Sequence, residues 1–291
     1  MASILDRYGI KEVADVTFYK INEDGTPGAP VLFLDTLKVS TIEQTAEQVD
    51  ARGGKGNPKL ITWDYGKEIT VNIEDALFSP KSMSIMLGDG TVTKATAQAI
   101  KRTAVIRVGA DGKLPNYFTA DVYDAKEGSA RKKIYIGAGN SAPTGMIAFA
   151  SSGITLATAV DETGVVIDSA LTIEDLTGAV GSAAAPFNTH AGEKVFITYS
   201  VQATTKTIVV SGDTFPGTYY VTGDTYSRSD VDGRDQFFQF IIPKAKMSAE
   251  NTITLEAEGD PSTFNMNLTV LRPESGEMMK LVQYDLEGSA G

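Results

Sequence analysis

The chain holds one histidine, His190, so any hydrolytic triad would have to use it. Its surroundings, FNTHAGEK, carry no nucleophile signature such as G-x-S-x-G, and a loop histidine ahead of a strand is the expectation. Cysteine is absent, which removes disulfides, thiolate metal sites and cysteine nucleophiles. A single histidine without cysteine does not make a zinc site either. SDVDGRD sets Asp230, Asp232 and Asp235 around Gly233, but the D-x-D-x-D-G order and terminal glutamate of a calcium loop are missing. Asp-Gly is a turn pair first, and the segment reads as a charged hairpin turn. RGGKGNPK (52–59) is glycine-rich and basic, yet a phosphate loop needs Ser or Thr after its lysine and a helix behind it. Here a strand follows, so Arg52, Gly53, Gly54, Lys55, Gly56 and Asn57 read as a loop joining two long strands. A basic tip of that kind suits contact with a neighbouring subunit. Glu256 and Glu258 share one strand face, as paired carboxylates do in glycoside hydrolysis, but no aromatic sugar platform lies beside them in sequence. They read as a solvated face. Trp63 is expected in the core or at an interface. No catalytic constellation remains, so an enzyme is not expected, and no cofactor or metal is called for.

The elements that carry these residues are strands. Of 291 residues, 42% are hydrophobic and 22% charged, the balance of a folded chain with ample core material. The opening segment is broken by Asp6 and Arg7 and does not read as a signal peptide, and no run is apolar enough for a membrane span. The net charge of −11 speaks against bulk attraction to a nucleic-acid backbone. Asp-Gly turns at 24–25, 89–90, 111–112 and 232–233 separate runs rich in Val, Ile, Thr, Phe and Tyr. Strands are expected over 15–21, 29–49, 59–78, 104–109, 131–137, 193–202, 206–212, 218–228, 235–247, 251–259 and 263–273. SPKSMSIMLG (79–88) predicts a short helix with Ser79 as N-cap, Pro80 at its first position and Gly88 as its stop. Residues 93–102 suit helix or strand, and 168–182 a loop or one helical turn. VSGDTF (210–215) and VTGDTY (221–226) read as two successive turns. From Gly137 to Gly192 the chain turns light in Ala, Gly, Ser and Thr. The fold expected is mainly β, a sandwich or partial barrel assembled from residues 1–105 and 206–291, with a small β-rich module inserted over 106–205.

Several strands share one design. In TFNMNLTV, Phe264, Met266, Leu268 and Val270 alternate with Asn265, Asn267 and Thr269. Ile69, Val71 and Ile73 alternate with Thr70, Asn72 and Glu74, and Ile253, Leu255 and Ala257 with Thr254, Glu256 and Glu258. Long amphipathic strands with open edges invite pairing with other chains, and closure into a ring removes the edges. The polar residues would then line a lumen.

The run DQFFQFIIPKAKMSAENTITLEAEGDPSTFNMNLTVLRPESGEMMKLVQYD resembles the end of tailed-phage tail tube proteins. The order long strand, glycine-rich loop (52–58), second long strand (59–74) and short helix (79–88) is similar to theirs. The resemblance implies strands 37–49, 59–74, 251–258 and 264–270 joining copies through an inter-subunit β-barrel in a hexameric ring. Rings stack into a tube in the virion tail, made in the host cytoplasm, and DNA passes through an acidic lumen without specific binding. The same resemblance implies that loop 50–58 meets the adjacent ring and that the inserted module sits outside or meets a sheath. Tape-measure or baseplate proteins are further implied partners. A capsid decoration or baseplate protein is the nearest alternative reading, and a carbohydrate-binding β protein a more distant one.

Overall fold

The computed structural model describes residues 7–10, 12–112, 117–123, 131–135, 146–148, 154–168, 187–231, 233–253 and 263–284. Along the chain come β1 (Tyr8–Ile10), β2 (Asp15–Ile21), β3 (Pro27–Leu34), β4 (Leu37–Arg52), β5 (Lys59–Asp75), α1 (Pro80–Leu87), β6 (Thr93–Arg107), β7 (Tyr117–Tyr123) and β8 (Arg131–Tyr135). They continue as β9 (Met146–Ala148), β10 (Ile154–Val160), β11 (Val166–Asp168), β12 (Lys194–Thr207), β13 (Thr218–Ser229), β14 (Asp235–Met247), β15 (Phe264–Val270) and β16 (Lys280–Tyr284). The fold is mainly β. It divides into two compact units, Met1–Thr93 with Thr207–Gly291, and Lys94–Lys206.

In the first unit one sheet runs β3-β2-β13-β14-β15-β5-β4, with β1 added to β13 and β16 to β14. Its core gathers Val16, Phe18, Val71, Ile73, Val221, Ile242, Met266 and Leu268 with Ile85 and Met86 of α1. The reason is the period of two. Along β15 every odd-numbered residue is exposed and every even-numbered one buried. A one-residue slip would turn Met266, Leu268 and Val270 to water at roughly 1.5–3 kcal/mol each, so the register is strongly specified. The helix follows its signals. Ser79 Oγ accepts from the Ser82 amide at 3.0 Å, Ser82 Oγ accepts from the Ser79 amide at 2.9 Å, and Pro80 opens the first turn. Asn251 Nδ2 donates to the Met86 carbonyl at 2.8 Å, satisfying one acceptor of the last turn.

The second unit holds a four-stranded sheet, β11-β10-β12-β6, and a three-stranded sheet, β7-β8-β9. Among its described residues, Ala104, Ile106, Val108, Ala159, Phe187, Val195, Ile197 and Tyr199 are buried and apolar.

Several local expectations change. The run 29–49 is two strands, because the chain breaks at Asp35 and Thr36. There the buried Asp75 carboxylate accepts from the Thr36 hydroxyl at 2.6 Å and the Leu77 amide at 3.2 Å. Residues 93–102 are strand. The strand expected over 206–212 ends at Thr207. VTGDTY is no turn: it lies inside β13, where Gly223 faces Phe240 across the sheet. The strand expected over 59–78 ends at Asp75. Residues 251–253 are outside any strand, and 254–259 and 169–182 lie outside the described residues.

Candidate assembly interface

Pairing turns two separate polar faces into one patch. On β15 and β5, Asn265 opposes Glu74, Asn267 opposes Asn72 and Thr269 opposes Thr70. On β5 and β4, Glu74 opposes Val39, Asn72 opposes Thr41, Thr70 opposes Glu43 and Glu68 opposes Thr45. Directly opposed residues share a face, so these strands present amides, hydroxyls and carboxylates on the side away from the core. None of those positions is Lys or Arg, though the exposed Lys38 and Lys67 stand at the two bulges that bound them. The next strand, β14, brings Lys246 opposite Thr269, and its ammonium is held by the Pro216 carbonyl. Of the residues expected to line a lumen, Thr70, Asn72, Glu74, Asn265, Asn267 and Thr269 come together here. Thr254, Glu256 and Glu258 lie outside the described residues.

Beyond this patch β4 and β5 run on as a two-stranded arm, with Thr41–Val49 and Lys59–Glu68 exposed on both faces. Between the pairs Thr45–Glu68 and Glu47–Tyr65, β5 uses one more residue than β4, and Gly66 absorbs it with φ 60°. This is a bulge with glycine in the left-handed region. Alternation along β4 continues unbroken, but on β5 the face passes from the even-numbered Glu68, Thr70 and Asn72 to the odd-numbered Tyr65, Trp63 and Ile61. The patch therefore gives way to an apolar stripe. Val49, Ile61, Trp63 and Tyr65 are each more than half exposed. Trp63 is thus on the arm and not in the core. Glu47 accepts the hydroxyl of Tyr65 and pushes its pKa up.

The opposite face of the arm is polar. Gln48 donates to Asp64 and Thr62 to Asp50, both at 2.8 Å. Lys59 and Arg52 converge on the same Asp50 carboxylate at 2.8 and 3.2 Å. The Lys59 hydrogen bond, followed by that from Thr62, holds the Asp50 carboxyl below the ordinary carboxylate range. Two of the basic groups near the tip are therefore spent on Asp50. Arg52 is the last residue of β4, while Gly53, Gly54, Lys55, Gly56 and Asn57 form the turn, with Gly54, Gly56 and Asn57 at positive φ.

The other polar clusters are local pairs. His190 sits in a short 3-10 turn before β12, with Nδ1 2.8 Å from a Glu193 carboxylate oxygen. Arg228 donates to both carboxylate oxygens of Asp235 beside the turn that follows β13. Among the described residues no group of His, Asp and Glu could hold a metal ion.

A family model matches residues 8–126 and 140–283, both units included. The chain belongs to the YomU/Tube protein family. No curated protein matches it. The resemblance carried by the C-terminal run and by the strand–loop–strand–helix order is borne out. A YomU/Tube chain is a structural protein of the phage tail tube, hence a virion component. The features that separate its two long strands from an ordinary hairpin now have a context: the polar patch near the core and the apolar stripe on the arm both belong to a tube-family subunit.

Proposed function

We propose that six copies close a ring through the two open edges of the sheet, β3 and β4, and that rings stack into a tube that conducts DNA. The observation that carries this reading is the patch on β4, β5 and β15, whose paired positions hold amides, hydroxyls and carboxylates beside Val39 and no cation, Lys38 and Lys67 standing at the bulges that bound it. Such a wall repels phosphate and leaves DNA free to slide, because backbone binding requires Lys and Arg. The apolar stripe supplies the stacking contact: four large side chains more than half exposed on one face call for cover, and an adjacent ring of the same chain provides it. The module expected over 106–205 lies outside the tube, available to a sheath or to nothing. Tape-measure and baseplate proteins meet the ends of the stack.

The absence of cysteine makes a direct test simple. Asn267→Cys places one thiol in the patch. A maleimide carrying a large polymer reacts with single subunits and fails with assembled tubes, while a small maleimide reacts with both. Thr163→Cys, on an exposed turn of the second unit, reacts with the polymer in both states. Equal polymer labelling of Asn267→Cys before and after assembly would exclude a lumen position.

A further inference from the structure

The strands on the other side of the core present a second outward face, and its chemistry is different. Along β13 the buried residues alternate with Tyr220, Thr222, Asp224, Tyr226 and Arg228. Tyr226 opposes Phe237, which opposes Tyr284. The three rings form a row with both centroid separations at 5.3 Å, the second pair stacked at 18°. Toward the other end of β13, Tyr220 opposes Tyr19 with rings edge to face at 6.2 Å. Between the two aromatic groups lies a polar row, where Asp224 opposes Asp15 and Gln239 and accepts from Gln239 Nε2 at 2.7 Å.

An open recess stands at each end of this row. One, of about 370 Å³, is lined by Tyr226, Arg228, Asp235 and Glu12. The other, of about 480 Å³, is bordered by Tyr220, Pro243, Asn22 and Lys280. Tyr226 lies six positions beyond Tyr220 on β13, about 20 Å, a length that takes several pyranose rings. A pyranose offers an apolar C–H face to an aromatic ring and a rim of hydroxyls to carboxylates, amides and forked guanidinium groups. This face holds both kinds of partner along one strand, with Tyr220 and Tyr226 on either side of Thr222 and Asp224. Its charge selects further. Glu12, Asp15, Asp224 and Asp235, with Glu23, Asp24, Glu274 and Glu277 around the second recess, outnumber Arg228, Lys244 and Lys280; Arg228 is forked onto Asp235 at 2.6 and 2.8 Å, and Lys280 is 2.6 Å from Glu277. A polymer bearing phosphate or uronate is repelled here.

We propose that this face binds a neutral polysaccharide, its chain lying along β13 with sugar rings over Tyr220 and Tyr226. The proposal is independent of ring assembly. Native electrophoresis of the full chain through gels containing soluble β-glucan, glycol chitin or dextran tests it. At least one polymer retards the protein. Tyr226→Ala and Tyr220→Ala each weaken that retardation tenfold or more, and Tyr226→Phe, which keeps the ring, preserves it. A Trp63→Ser/Tyr65→Ser protein, altered on the arm, is retarded like the parent. Migration unaffected by all three polymers, or retardation unchanged in both alanine variants, overturns the proposal and leaves the face to a protein partner.

Discussion

Replacing Trp63 and Tyr65 together by serine stops tube growth and leaves the subunit folded. Both rings stand on the arm, more than half exposed, and neither belongs to the core cluster. Their loss changes subunit stability by no more than about 0.5 kcal/mol, the range of ordinary surface substitutions. In the proposed stack each of the two aromatic rings is covered by another copy. Burying a large apolar side chain contributes about 1.5–3 kcal/mol. Two such losses per contact raise the concentration needed for assembly by about a hundredfold or more. Sedimentation over a concentration series reads the assembly threshold, and thermal melting of the unassembled subunit reads stability. Growth at the parental threshold would remove the stripe from the stacking contact. Gln48→Ala with Thr62→Ala, on the polar face of the same arm, is the matched comparison and shifts the threshold far less.

Gly223→Ala destabilises the first unit by about 3 kcal/mol, the upper part of the range for overpacked cores. A Cβ at this position would stand 2.1 Å from two ring atoms of Phe240. Phe240 is buried and lies directly opposite Gly223 on β14, in the interior of the sheet, so an added Cβ forces the ring or the strands to shift. Urea denaturation measures the effect as a lower midpoint at unchanged slope. Adding Phe240→Leu to Gly223→Ala restores part of the loss, while Phe240→Leu alone is destabilising. The two substitutions are therefore non-additive. A Gly223→Ala protein as stable as its parent would mean that the sheet opens at this point more easily than its packing indicates.

Alternation made β15 and the core half of β5 legible, since Phe264 to Val270 and Ile69 to Ile73 obey the period without exception. The helix was equally plain, because Ser79, Pro80 and Gly88 each carry a local instruction. The arm was less so. Its apolar stripe follows from one extra residue at Gly66, which exchanges the faces of β5, and a strict period of two carries no record of such a bulge. Trp63 and Tyr65 accordingly gave no sign of which face they share with Asn72. VTGDTY misled for a related reason: Gly-Asp suggests a turn, whereas Gly223 is needed for the close approach of Phe240. The outward aromatic face was not legible at all. Tyr19, Tyr220, Phe237 and Tyr284 come from four strands, and only their pairing brings them to one surface.

The most direct test of the tube account is electron microscopy of the purified chain at rising protein concentration, followed by averaging of end-on views. The account predicts hollow tubes built from six-fold rings, with β5 and β15 on the inner wall and Asn72 and Asn267 facing the channel. Closed trimers, or six-fold rings whose inner wall is formed by β2 and β13 instead, would contradict it.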